Sequence, residues 1–322
     1  MKKILVFSAL MISASACQRS PAYKHDQGYA PAEPSSSSYY DKAGGKASPT
    51  QRVEAMGQPK KRVIVFNFWN DTPVKGTEIG VFAADELRRG LFNSQRMIVP
   101  KDISTKLTTE DFINGDKVKV AQLIREGRRM GVSVLVIGRV TKIVFRQRGD
   151  EIGLFRQKQS LAAVDVELKL FDVAGGREIM AVGKSGEASS NTNVVVEDAS
   201  LESVQYRAEL TKLAVRHAVV LAVPDVLRAI EKMTWEGHLA KVQGTKIFIN
   251  AGKTSGLVAG DILKVMAPGD DIYDPVTGAY LGRSQGQLKG TLEVIDFIGP
   301  DGATTEVHTG GNFQEGDVVQ LY

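Results

Sequence analysis

The sequence predicts an α/β domain, a sheet with covering helices, followed by a small all-β barrel domain. Three observations carry this reading. Gly131–Ile143 (GVSVLVIGRVTKI) is a continuous apolar run, rich in β-branched residues and too short for a membrane span, as expected of a strand buried on both faces. Leu161–Val173 (LAAVDVELKLFDV) alternates from Val164 on. Val164, Val166, Leu168 and Leu170 share one face and Asp165, Glu167 and Lys169 the other, which reads as a half-buried strand. After Trp235 the texture changes to short alternating runs punctuated by glycine, the pattern of a small barrel.

The N-terminal segment has the layout of a secretion signal over residues 1–16. Lys2 and Lys3 precede the apolar stretch Ile4–Ile12, and small residues lead to Cys17, the single cysteine of the chain. A lone cysteine makes no intramolecular disulfide, and a core thiol would not sit directly after such a segment. The remaining readings are an ordinary signal peptide and a lipid-modified Cys17. Residues 17–60 then form the anchor and a linker rich in Ser, Pro, Gly, Ala and Lys. As a flexible coil it reaches roughly 35–40 Å. The formal charge is +4 over the whole chain, about +2 without Lys2 and Lys3, and gives no reason to propose a nucleic-acid partner.

The α/β domain is expected over 61–235. Lys61–Trp69 is its first strand, with Val63, Val65 and Asn67 on one face and Ile64, Phe66 and Phe68 on the other. Turn chemistry at 70–76 leads to a helix over Thr77–Asn93, with Ile79, Phe82, Ala83, Leu87 and Leu91 inward. Arg96–Pro100 is a short strand candidate. Lys117–Met130 is a second amphipathic helix, buried through Val120, Leu123, Ile124 and Met130, with Gly131 as its C-terminal cap. Beyond the two central strands, Glu178–Gly183 starts another strand, and Lys184–Ser200 reads as a polar loop. Gln205–Met233 is the longest helical signal. It turns Leu210, Leu213, Ala214, Val220, Leu221, Leu227 and Ile230 inward, and Pro224 is expected to kink or divide it. The barrel spans 238–322, with strands at Lys246–Asn250, Ile262–Met266, Thr291–Phe297, Thr304–Val307 and Val318–Leu321. An internal echo, Gly260-Asp261 and Gly316-Asp317, each before an apolar strand, indicates a turn entering a strand rather than a ligand site.

No pattern in the chain supports catalysis, a cofactor or a metal. Gly252-Lys253-Thr254 resembles the end of a phosphate loop, but Ile247 stands where that motif needs glycine, and a strand follows where it needs a helix. His25, His217, His238 and His308 lack zinc-ligand spacing. Acid pairs such as Asp270-Asp271 read as solvated loop charges.

Several of these segments together resemble the curli-secretion lipoprotein (CsgG-like) family: ASAC at Cys17, KRVIVFNFWNDT before a helix, GVSVLVIGRV after one, and FDVAGGREI at Phe171–Ile179. ASAC is similar to a bacterial lipobox, which implies acylation at Cys17. By the Gram-negative sorting rule, Gln18 then implies the periplasmic face of the outer membrane. KIFINAGKTSGLVAGDILKV is similar to the C-terminal small barrel of a flagellar ring protein (FlgT-like). The resemblance implies an anticodon-binding-domain-like sheet with covering helices on a lipid anchor, forming a homo-oligomeric ring used in assembly or secretion. An alternative is an envelope regulator that binds a peptidoglycan synthase or a flagellar ring partner.

In the curli-like family the segment corresponding to 146–158 supplies membrane strands. Here Arg146, Arg148, Asp150, Arg156 and Lys158 lie on one alternating set and Glu151 on the other, which leaves no continuous lipid face. The expected form is a solvent-exposed hairpin that meets a neighbouring subunit or a partner through these charges. The plainer alternative is a solvated loop.

Overall fold

The computed structural model describes residues 57–74, 78–100, 107–115, 117–149, 158–189 and 203–322. Its first part is a sheet. Strands β1 (Val63–Val65) and β2 (Trp69–Asn70) run parallel to β5 (Val134–Gly149), and β5, β6 (Lys158–Asp172) and β7 (Arg177–Ser189) form an antiparallel meander. Helices α1 (Glu78–Asn93) and α3 (Val204–Glu231) cover one face. On the other lie α2 (Val120–Met130), a 3-10 turn at Thr109–Phe112 and, nearby in the chain, the short hairpin of β3 (Ile113–Asn114) and β4 (Lys117–Val118). The central run is therefore buried on both sides: Val134, Val136 and Val140 join the core under α1 and α3, and Leu135 and Ile137 join the core under α2.

The first strand alternates as its sequence predicts only as far as Phe66. Phe68 packs with Val63 and Val65 instead of with Ile64 and Phe66. Between the pairs Val65–Val136 and Trp69–Arg139, three residues of the first strand oppose two of β5, so the chain carries a bulge that flips the face. The ring of Phe68 then lies 2.5 Å from where a Cβ on Gly138 would stand, which reserves that position for glycine. Arg88 of α1 donates from Nη2 to the Val65 carbonyl at 2.6 Å and to Asn67 Oδ1 at 2.8 Å, satisfying acceptors at the bulge. Arg96–Pro100 is not a strand. It contributes one isolated bridge, Arg62 to Ile98.

Gly131 caps α2 in the left-handed conformation, as its position implies (φ 64°). Two expectations around α3 fail for one reason. Lys184–Ser189 belongs to β7 instead of a loop, and Val220 and Leu221 of α3 point to solvent, 57% and 56% exposed. The helix lies so close to β7 that the contact is made by small residues. A Cβ on Gly186 would stand 2.1 Å from the Ala214 carbonyl oxygen and 2.3 Å from the Ala218 nitrogen. The inward stripe is thus Leu210, Ala214, Ala218, Ala222 and Val226, and bulk does not mark it in a helix that is apolar all round near 218–223. Pro224 does not divide α3, which runs unbroken from Val204 to Glu231.

The C-terminal part is a closed six-stranded barrel in the order β10-β13-β14-β9-β8-β15. Its strands are β8 (Gly237–Gln243), β9 (Lys246–Ile249), β10 (Ile262–Met266), β13 (Leu288–Ile298), β14 (Gly302–Gly310) and β15 (Val318–Leu321). The sequence reading missed β8, whose alternation is weakened by His238 and Lys241. Trp235, ahead of β8, is part of the barrel core.

The internal echo marks a structural repeat. β8-β9-β10 and β13-β14-β15 are equivalent halves, and exchanging them reproduces the barrel order in reverse. Lys264 pairs with Gln320 and Phe248 with Thr304, and the spacing within each pair equals that between Gly260 and Gly316. Gly260 and Gly316 share a φ of 90°. Asp261 accepts from the Val258 N–H at 2.8 Å, and Asp317 from the Gln314 N–H at 2.8 Å. The expected turn role therefore holds at both sites. Asp317 is further paired with Lys289 at 2.8 Å. A second hairpin, β11 (Asp271–Tyr273) and β12 (Tyr280–Arg283), is inserted between the halves and has no counterpart.

The α3–β7 contact sets a test. Gly186→Val adds atoms where the helix backbone already stands and is expected to destabilise by about 3 kcal/mol, at the upper end for overpacking. Gly183→Ala meets nothing nearer than the Val166 oxygen at 4.0 Å. Thermal unfolding should show a large loss for the first and near-parental behaviour for the second.

Candidate functional site

Arg146 is exposed on β5, opposite Leu161. The backbones of Arg148 and Lys158 continue the β5–β6 ladder, opposite Gln159 and Gly149. The two central strands thus extend into the charged insertion, so the described part of 146–158 is strand at both ends. Asp150, Glu151 and Arg156 lie outside the described residues, as does Cys17.

Sequence reasoning did not find a second charged region, at the end of the sheet near the barrel. The β11–β12 hairpin is placed against the sheet by two contacts. Arg128, in the last turn of α2, donates through Nη1 and Nη2 to the two carboxylate oxygens of Asp271 at 2.9 and 2.5 Å. The Tyr280 hydroxyl lies 1.9 Å from where a Cβ on Gly176 would stand, and Gly176 is itself left-handed (φ 64°). Glycine in the β6–β7 turn therefore serves both the turn and the close approach of the hairpin. Asp270-Asp271 is no solvated pair: Asp271 is the partner of Arg128, and Arg128 holds its carboxyl below the usual range.

Behind the hairpin, charged groups crowd together. Burial pushes the Asp172 carboxyl up, against N–H donation from Gly175 and Ala174 and the nearby charge of Arg177. Burial also pushes Glu236 up. The Gln320 amide, donating at 2.7 Å, opposes that shift, and the charge of Asp172 adds to it. His238 is pushed down by burial and by Arg283, so its neutral form is favoured. Arg283 donates from Nε to the Gly269 carbonyl at 2.6 Å. Asp172, Glu236 and Arg283 border a cleft of about 810 Å³ between β7, the end of α3 and the barrel. Across it, Asp225 of α3 is paired with Lys184 of β7 at 2.7 Å and with Arg228.

Among the described residues, no three His, Cys, Asp or Glu side chains are grouped as metal ligands. His217 Nδ1 contacts the Glu187 carbonyl at 2.6 Å, a tie between α3 and β7. No described helix is long and apolar enough to cross a membrane, which says nothing about strands.

The charged groups of this region gather at the β11–β12 hairpin and at the cleft beside the barrel. The chain belongs to the family of the curli production assembly/transport component CsgG, whose family model matches residues 54–257. The match ends inside the barrel, after β9. No curated protein matches the sequence. Solved structures with similarity include the hypothetical protein CT253 from Chlamydia trachomatis, at 14% identity over 53% of this chain and 98% of that one, with a TM-score of 0.37. Lipoprotein GNA1162 from Neisseria meningitidis matches at 18% identity over 42% of this chain and 88% of its own, with a TM-score of 0.27. The C-terminal domain of LpoB from Salmonella enterica matches at 13% identity over 42% and 90%, with a TM-score of 0.24. Likeness at this level carries no argument about function.

Two outcomes test the region. Asp271→Ala leaves Arg128 without its carboxylate and should free the β11–β12 hairpin, so that trypsin cleaves after Arg283 several-fold faster while the main unfolding transition barely moves. Unchanged cleavage would show that Tyr280 alone holds the hairpin. The second outcome concerns pH. A carboxyl raised on folding binds its proton more tightly in the native state, so its contribution is fully present below the unfolded value and is lost as pH rises through the folded one. Glu236→Gln removes that loss. The Tm of the variant relative to the parent should rise as pH is taken upward from about 4.3, the ordinary glutamate value. A difference independent of pH would show that Glu236 titrates as an exposed side chain.

Proposed function

We propose that this protein is a non-enzymatic lipoprotein of the cell envelope, anchored through Cys17 at the periplasmic face of the outer membrane, and that it works in a homo-oligomeric ring as an assembly or secretion component. Membership of the curli assembly/transport family is the observation that carries this reading, and the ASAC sequence before Cys17 supports the anchor. The α/β domain is taken as 61–235, with the anticodon-binding-like arrangement that the family resemblance implies. The charged hairpin around 146–158 is taken as its contact with a neighbouring subunit or a partner. Strand pairing at both ends of that segment supports a hairpin that projects from the sheet.

A second reading is favoured by the barrel, most of which lies beyond the matched residues. Here the chain is a regulator that carries a flagellar-ring-like module on a long linker and binds a ring protein or a wall synthase.

Two measurements test the leading reading. The intact mass of the mature N-terminus should carry acyl chains on Cys17, and Cys17→Ala should leave a soluble or unprocessed protein. The detergent-extracted native particle should have the mass of a multimer, and replacing 146–158 by a Gly-Ser turn should lower that mass while sparing folding and anchoring. An unmodified Cys17, or a monomer in detergent, would defeat the reading. Planar-bilayer conductance abolished by the same replacement would mean that the hairpin enters the membrane.

A further inference from the structure

The cleft beside the barrel has one wall made of an unpaired strand edge. Among the described residues β7 is bonded to β6 alone, so the outer side of its backbone has no described partner strand. The other edge of the sheet is in a different state, because the first strand is bridged by Ile98 and Thr108. The β6–β7 ladder slips by one residue at Ile179, so a regular edge begins at Met180. Met180, Ala181 and Val182 of that edge line the cleft. An exposed, regular edge of this kind offers N–H and C=O groups at the spacing that an extended chain requires.

The charges of the cleft are disposed unequally. Its acids are occupied: Asp172 accepts from the Ala174 N–H at 3.1 Å, Glu236 from the Gln320 amide, and Asp225 from Lys184 and Arg228. Arg177 at the start of β7 and Lys232 at the end of α3 are exposed and in no salt bridge among the described residues, although the charge of Arg177 also acts on Asp172. The wall thus presents backbone groups between two exposed cations, over apolar side chains that include Val182 and Met233.

We propose that this cleft binds an extended acidic segment of a partner protein, which adds as a strand to the β7 edge and sets its carboxylates against Arg177 and Lys232. Backbone pairing supplies the affinity, and the two cations select acidic over basic sequences. The competing occupant is a second copy of this chain, pairing β7 edge to β7 edge about a twofold axis, and the last arm of the test separates it. The inference is independent of lipidation and of ring formation, since a monomeric or unacylated chain keeps the same edge.

The test uses the purified full chain in detergent and three fluorescent hexapeptides, read by anisotropy: alternating valine and glutamate, alternating valine and lysine, and the glutamate peptide with alternate backbone nitrogens methylated. The glutamate peptide is expected to bind, and the lysine peptide at least tenfold more weakly. The methylated peptide is also expected to lose at least tenfold, a loss that charge attraction alone would not cause. Arg177→Glu and Lys232→Glu, each with an unchanged melting curve, should weaken the glutamate peptide at least tenfold. No binding of the glutamate peptide at millimolar concentration overturns the proposal, as does equal binding of the lysine or the methylated peptide. If Lys232→Glu instead lowers the particle mass and leaves peptide binding unaltered, the occupant is a second copy and the proposal fails.

Discussion

The approach of α3 to β7 constrains the rest of the first region. The carbonyl of Ala214 and the nitrogen of Ala218 stand where a side chain at 186 would be, so the helix backbone rests on the strand backbone. Closeness of this order is possible only with glycine in the strand and alanines in the helix. It brings Leu210, Val215, Val219 and Val226 within reach of the alternating apolar face of β6. It also brings α3 against α1, where Gly90 faces Val223. The bulge in the first strand, Phe68 over Gly138 and Arg88 on the Val65 carbonyl fit α1 to the same layer. Dispersion and burial act across the whole of this face, and the small residues decide the distance at which they act.

The barrel follows a different rule. Its two halves repeat one unit of hairpin, Gly-Asp turn and strand, and the Asp carboxylate closes each turn by accepting an N–H three residues back. A symmetric body has no preferred side to present. The inserted β11–β12 hairpin removes the symmetry, and it does so where Arg128 and Tyr280 tie it to the sheet. The same junction leaves the cleft open and gathers its acids inside, with cations at the mouth.

Much of this was legible in the sequence. Apolar β-branched runs named the central strand, and strict alternation named β6. Helical spacing placed α1 and α2, and Gly131 marked the end of α2. What failed shares one cause. The period of hydrophobic residues reports bulk, and several decisive contacts here are made by the absence of bulk. Gly186 and Ala188 bury a strand that reads as a polar loop, and Val220 and Leu221 are large, apolar and outside. The flip at Phe68 needs knowledge of the register with β5, which no local pattern contains. The cleft was unreadable for another reason: Asp172, Glu236, Arg283 and Arg128 are far apart in the chain, and only the junction of sheet, barrel and hairpin brings them together. The Gly-Asp echo was visible, yet its meaning as a structural repeat depends on pairings between strands distant in sequence.

Hydrogen exchange on the intact chain tests most directly whether α3 and the meander form one cooperative body. If the helix is held by backbone-to-backbone contact along β7, the amides of 214–226 in α3 and those of 164–170 in β6 and 182–188 in β7 should exchange at the same slow rate, through a common opening. Amides of α3 that exchange orders of magnitude faster than those of β6 would contradict the account, because the helix would then lift from the sheet without disturbing it.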